Sequence, residues 1–130
     1  MGLSVGLRGT ATWMVKEEDT AIVQGSGTVP VLATPRLLAL MEAAAVAAVA
    51  GALPPEATTV GVKAEIEHLA PTPVGMEVTA VAELVEVEGR RLVFRVEARD
   101  QVEVIGRGRH ERVLVDVAKF LAKAQSKRSG

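Results

Sequence analysis

The run LLALMEAAAVAAVAGAL, residues 37 to 53, constrains the fold more than any other part of the chain. Alanine and leucine favour helix, and a helix that is apolar nearly all round must be enclosed on most sides rather than laid on a surface. Its start is signed by Thr34, whose hydroxyl oxygen can cap, and by Pro35, which suits a first helical position because the amide it lacks has no partner there anyway. The helix is expected to reach about Gly51, with Pro54 and Pro55 blocking extension. The stretch is marginal against the roughly 20 apolar residues of a membrane span. It is also dominated by alanine and holds a glutamate, so a buried helix of a soluble domain is the expectation, with no membrane partner.

Strand-like alternation surrounds this helix. Residues 7 to 15 set Leu7, Gly9, Ala11, Trp13 and Val15 on one side and Arg8, Thr10, Thr12 and Met14 on the other, which predicts the first strand. A polar, glycine-containing connection, KEEDTAIVQGSGTVPVL, follows and is expected to carry a short strand or to lie across a pocket. After the helix come four strand-like segments, roughly 58 to 68, 76 to 87, 91 to 104 and 107 to 119, with Glu88-Gly89 as a hairpin turn. In the third, Leu92, Phe94, Val96 and Ala98 form an apolar row opposite Arg91, Arg95, Glu97 and Arg99, with Val93 the one apolar exception. The GRG at 106 to 108 predicts a bulge or kink, and the small, polar, basic tail 122–130 is expected to fray. At 130 residues the chain suits one domain. A long helix followed by consecutive antiparallel strands predicts an α+β domain over 1–130 in which a curved antiparallel sheet wraps a central helix.

Charge narrows the partners. Fifteen basic and 16 acidic residues give a formal charge of −1 with both signs mixed, so no broad basic field favours nucleic acid, while small anionic ligands remain open. The absence of cysteine removes disulfides, thiol nucleophiles and thiolate metal sites, and fits a reducing, cytoplasmic setting. Two histidines argue against an all-histidine metal site, and neither metal nor cofactor is expected. The N-terminal MGLSVGLRGTATW has no basic segment leading into a long apolar core, so no signal peptide is read there.

Glu42 is the strongest chemical signal, because it is the only ionisable group from Leu37 to Pro55. Either the helix has one wet stripe and Glu42 sits on it, or a carboxylate is held in a cleft where it must find a donor or shift its pKa. His68 ends the row Val60, Val62, Ala64, Ile66, His68, so it points toward the helix if that row does; the alternative is an imidazole satisfied locally beside the LAPTPVG turn. Thr34 needs no role beyond capping, although a helix N-terminus can polarise a carbonyl. Gly61, inside a strand, marks either a plain bulge or close approach of a ligand or backbone. RGRHER, 107 to 112, offers arginines and a histidine able to meet phosphates, or else a solvated strand edge.

Taken in order, ATPRLLALMEAA, VGVKAEIEHLAPTPVGMEVTA, VEGRRLVFRVEARD and IGRGRHERVLVDVAKF resemble the hot-dog-fold thioesterases, specifically the fluoroacetyl-CoA thioesterase-like group, over roughly Thr28 to Phe120. The resemblance implies a hot-dog fold, an acyl-CoA substrate and an active site of Thr34, Glu42 and His68. It also implies Gly61 beside the acyl group and Arg112 for the CoA moiety. No aromatic residue lies between Trp13 and Phe94 to form a lid over a small fluorinated acyl group, so fluoroacetyl specificity is not carried over. The function so implied is hydrolysis of a small or medium acyl-CoA thioester, with a non-catalytic acyl or acyl-CoA binding module on the same fold as the alternative. A hydratase is disfavoured because the acidic neighbour of His68, Glu67, has the opposite strand phase.

In the hydrolase, Glu42 would act as general base or nucleophile, His68 would shuttle the proton, and Thr34 with helix-start amides would hold the carbonyl oxygen. Residues eight apart on an ideal helix lie ~12 Å along the axis and ~80° round it, so Thr34 and Glu42 of one chain do not touch. The resemblance resolves this through a homodimer with sites at the subunit interface, possibly paired into a tetramer.

Overall fold

The computed structural model describes residues 2–129. After strand β1 (Arg8–Met14) comes the one-turn helix α1 (Ala21–Gln24), then the long helix α2 (Thr34–Val49). Strands β2 (Ala57–His68), β3 (Glu77–Glu88), β4 (Arg91–Arg99) and β5 (Val104–Asp116) follow, and helix α3 (Val117–Ser129) closes the chain. The strands form one antiparallel sheet in the order β1-β3-β4-β5-β2, so β1 and β2 are its edges. This is the expected helix wrapped by a curved sheet.

Helix α2 buries Leu37, Leu40, Met41, Ala44, Ala45, Ala48 and Val49, positions three and four apart that make one continuous stripe. The stripe lies chiefly across β1 and β3 and meets Val78, Ala80, Ala82 and Leu84 of β3 with Leu92, Phe94, Val96 and Ala98 of β4. Each large side chain removed from water there contributes about 1.5–3 kcal/mol. Small residues on both sides bring helix and sheet close together. A Cβ on Gly9 would land on the Ala44 carbonyl and the Ala48 amide, which are backbone atoms unable to turn aside. Gly9→Ala is therefore expected to cost about 3 kcal/mol or more, read as a lowered urea midpoint, since overpacking against backbone leaves no cheap relaxation.

The structure differs from expectation in several places. Ala33, not Thr34, is the N-cap; Thr34 is the first helical residue, and its hydroxyl makes no capping bond. The helix ends at Val49 and continues as a single 3₁₀ turn, Ala50–Ala52, rather than running to Gly51 as α-helix. It is also not enclosed: Thr34, Pro35, Val46 and Ala47 are exposed and Leu38, Ala39, Glu42 and Ala43 only partly buried, which leaves one side of α2 open. The hairpin turn falls on Gly89 and Arg90, with Gly89 in the left-handed region at φ 59°. Strand β4 stops at Arg99, where the Asp100 carboxylate accepts from the amides of Val102 and Glu103 and turns the chain. Strand β5 accordingly begins at Val104 and ends at Asp116, whose carboxylate accepts from the Lys119 amide at the start of α3. Residues 122–129, expected to fray, continue α3, as the alanine, lysine and glutamine content of that stretch allows.

The largest difference lies in β2. Its pairing with β5 slips between Gly61, opposite Arg112, and Lys63, opposite Glu111, so Val62 is an extra, bulged residue. The predicted row is thereby cut in two: Thr59 and Gly61 face inward before the bulge, and Ala64, Ile66 and His68 after it, while Val62 is exposed. Beside Gly106, β5 carries the expected irregularity: its register with β4 slips between Gly106, opposite Ala98, and Val104, opposite Arg99, so Ile105 is extra. Both glycines also leave room for neighbours, since a Cβ at 108 would overlap the Glu65 carbonyl of β2 and one at 106 would sit 2.8 Å from the Leu37 side chain of α2.

Candidate active site

Two clusters of polar side chains face inward, one at each end of the accessible stretch of β2. The first is at the start of α2. The Thr34 hydroxyl lies 2.7 Å from His68 Nδ1, a hydrogen bond made possible because Thr34 is released from capping and His68 ends β2 on the inner phase. His68 Nε2 is buried without a hydrogen-bond partner among the described residues. Of the first-turn amides, Pro35 has none and those of Arg36 and Leu37 donate to the Ala33 carbonyl, which leaves the Thr34 N–H pointing out of the helix.

The connection between β1 and α2 is tied down across this end. Asp19 accepts from the Lys16 amide and from Arg36 Nε at 2.9 Å, the Arg36 guanidinium lies 4.7 Å over the Trp13 ring, and Leu32 donates its amide to the Thr72 carbonyl. So held, the connection walls an open groove of about 350 Å³ lined by Ala21, Val29, Val31, Leu32, Thr34 and His68. Its lining is mostly aliphatic and includes Thr34 and His68.

The second cluster surrounds Gly61. Glu42 Oε2 is 3.7 Å from Arg112 Nη1, and a Cβ on Gly61 would come within 2.9 Å of that carboxylate oxygen. Gly61 is therefore the residue that makes room for Glu42. The carboxylate is not withdrawn from water in the single chain: its side chain is 41 % exposed, whereas that of Arg112 is 8 % exposed. Arg112 does not reach outward from this position. Its Nε donates to the Thr59 hydroxyl at 2.9 Å, Nη2 to the Thr59 carbonyl at 3.0 Å and Nη1 to His110 Nε2 at 3.1 Å.

Within one chain the clusters are separate. Glu42 makes neither a hydrogen bond nor an ion pair with Thr34 or His68 among the described residues. Gly61 and His68 are about 20 Å apart along a strand rising ~3.3 Å per residue.

The profile of the fluoroacetyl-CoA-specific thioesterase family, FlK, matches residues 15–118. A curated relative, the fluoroacetyl-CoA thioesterase of Streptantibioticus cattleyicolor, is 46% identical over 97 residues, 75% of this chain and 70% of that protein. The chain belongs to the fluoroacetyl-CoA-specific thioesterase family. A solved structure of the fluoroacetyl-CoA thioesterase FlK superposes with a TM-score of 0.91 at 39% identity, covering 98% of both chains. A hot-dog-like protein from Thermanaerovibrio acidaminovorans superposes at 0.86 with 30% identity, covering 98% of this chain and 94% of the other. The fold is the hot-dog fold.

In this thioesterase the sequence offered RGRHER either as a phosphate-meeting segment or as a solvated strand edge, with Arg112 implied for the CoA moiety. The sheet divides it: Arg107 and Arg109 are exposed on the outer face, while His110 and Arg112 turn inward beside Glu42. Thr59 carried no signal of its own, because its partner, Arg112, comes from another strand.

Burial pushes the His68 imidazole below the usual 6.5, partly offset by the Ala70 backbone. Burial also pushes His110 down, with Lys63 backbone bonding opposing and the Arg112 charge reinforcing the shift. For both, the unfolded chain takes up a proton before the folded one does. The stability they contribute is thus present above pH 6.5 and lost as the pH falls below it toward the depressed folded values. Urea midpoints are expected to be flat from pH 8 to about 7 and to drop on acidification through about 6.5; a midpoint that rises there would contradict the assignment.

Proposed function

We infer that this protein is an acyl-CoA thioesterase that hydrolyses a small or medium acyl-CoA to the free acid and CoA, and that a second copy of the chain completes each active site. The observation that carries this reading is the Thr34–His68 hydrogen bond at the wall of an aliphatic groove, in a family of thioesterases, with the Glu42 carboxylate held elsewhere in the same chain.

Two features support a homodimer. Strand β2 is an edge of the sheet with its outer row of backbone groups unpaired by the chain itself, and the open stripe of α2, with Leu38, Ala39, Ala43 and Val46, lies on the same molecule. An isologous antiparallel pairing of β2 with its copy, centred on Glu65 and passing over the bulged Val62, would set Gly61 and its neighbour Glu42 opposite His68 of the partner subunit. The two half-sites then become one. A cytoplasmic setting, suited to a chain without cysteine, is part of the proposal.

In the completed site the acyl group enters the groove beside Val29, Val31 and Leu32, and the thioester oxygen meets the Thr34 N–H and hydroxyl. These donors stabilise the negative charge that develops as the carbonyl carbon becomes tetrahedral. Glu42 drives the attack, either by taking a proton from water or by bonding to the carbonyl carbon and forming an anhydride that water then opens. His68 returns a proton to the departing CoA thiolate. Arg112 keeps the Glu42 carboxylate directed at Gly61, the only position along that stretch of β2 without a side chain in the way.

Thiol release from a series of acyl-CoAs of graded length, fluoroacetyl-CoA included, tests the reading, and turnover is expected with acyl groups the groove can hold. Retention of acyl-CoA without thiol release across the series would instead make the protein a binding module. Sedimentation of the unmodified chain as a monomer at assay concentrations, with full turnover, would remove the shared site.

A further inference from the structure

We propose that His110 is the positioning residue of the Glu42–Arg112 pair, acting as a neutral imidazole locked in one tautomer between the bulge of β2 and the arginine. The inference rests on the reading of Glu42 as the reacting carboxylate.

His110 is 2 % exposed and has a partner on each ring nitrogen: Nδ1 is 2.8 Å from the Lys63 carbonyl oxygen, and Nε2 is 3.1 Å from Arg112 Nη1. A carbonyl can only accept and a guanidinium can only donate. The proton must therefore sit on Nδ1 and the lone pair on Nε2, and no other protonation state satisfies both contacts. The Lys63 carbonyl belongs to the first residue after the bulge, so the Nδ1–H bond holds the irregular part of β2 against β5. The Nε2 bond takes one hydrogen of the same Nη1 that faces Glu42 at 3.7 Å. With Thr59 holding Nε and Nη2, the guanidinium has no freedom left to turn away from the carboxylate.

The three groups converge on one point. A Cβ on Gly61 would meet Glu42 at 2.9 Å, His110 Cε1 at 3.2 Å and Arg112 Nη1 at 3.4 Å. The ring is fixed from the far side by Phe94, with centroids 6.4 Å apart. The charges acting on it are Arg112 and Glu111 from its own strand and Glu42 from α2, while Lys63 of β2 presents its backbone carbonyl. An imidazolium would present a second N–H to the guanidinium and add a like charge, releasing Arg112 and with it the aim of Glu42.

The test uses the full chain with nitrogen-15-labelled histidine. It has two histidines, so the signal absent from His110→Asn identifies the residue. In the unmodified protein at pH 7.5, His110 is expected as the neutral tautomer protonated on Nδ1; protonation on Nε2, or an imidazolium, would overturn the proposal even if every variant failed to fold. In kinetics, His110→Asn keeps a donor for Lys63 but no acceptor for Arg112, and it is expected to lower kcat roughly 10- to 100-fold, as for loss of a hydrogen bond to a charged group, with KM little changed. His110→Gln, whose carbonyl can replace the Nε2 acceptor, is expected to recover most of that loss. Equal kcat for His110→Asn and the unmodified chain, or a loss confined to KM, would sink the proposal while leaving the role of Glu42 intact. If Glu42→Gln itself turned over normally, the reading of Glu42 would fail instead, whatever the tautomer.

Discussion

Glu42→Gln is expected to reduce thiol release from acyl-CoA by at least ~10²-fold and as much as ~10⁴-fold, the range for a positioned group that moves a proton or attacks. The amide keeps the shape of the side chain and sits on the open side of α2, so neither the buried stripe nor the sheet is disturbed. What it removes is the negative charge beside Arg112 and the lone pair able to take a proton or bond to carbon. The loss should therefore fall on kcat, with the urea midpoint changed little, because a partly exposed ion pair contributes modestly to stability. An unchanged rate in a correctly folded variant would leave Glu42 as no more than a carboxylate on a wet stripe.

Mixing two inactive variants should restore turnover. In chains carrying Glu42→Gln and chains carrying His68→Ala, every homodimer has two damaged sites. If each site draws Glu42 from one copy and Thr34 and His68 from the other, a mixed dimer holds one site with both changes and one with neither. Random re-pairing makes half the dimers mixed, so activity should recover to about a quarter of the unmodified level. A site contained in one chain would show no recovery above the separate variants. The predicted contrast exceeds tenfold because Thr34 and His68 form one inward cluster and Glu42, Gly61 and Arg112 another.

The parts of this molecule legible in the sequence are those governed by neighbours close along the chain. The apolar run at 37 to 53 announced α2, and the alternation of Leu92, Phe94, Val96 and Ala98 announced the inner face of β4, because helix and strand periods are local properties. Glu42 stood out as the one charge in its surroundings, Thr34, His68 and Gly61 by their places at a helix start, at the end of a strand row and inside a strand, and the family pattern joined them and assigned Arg112. Their arrangement was not legible. The N-cap moved to Ala33, which freed the Thr34 hydroxyl for a histidine 34 residues away.

What the sequence by itself determined was the central helix and the strands around it, the buried face of β4 and the few residue types able to do acid–base work. Tertiary structure alone decided which of those residues meet. The bulge at Val62 reversed the phase of half of β2, turning Thr59 and Gly61 inward on one side of it and Ile66 and His68 on the other. Only the pairing of β2 with β5 then put His110 and Arg112 against Glu42. The physical reason is that a strand's side chains alternate with a period of two, so one extra residue exchanges its faces, and where that residue falls depends on a partner strand about 50 positions distant.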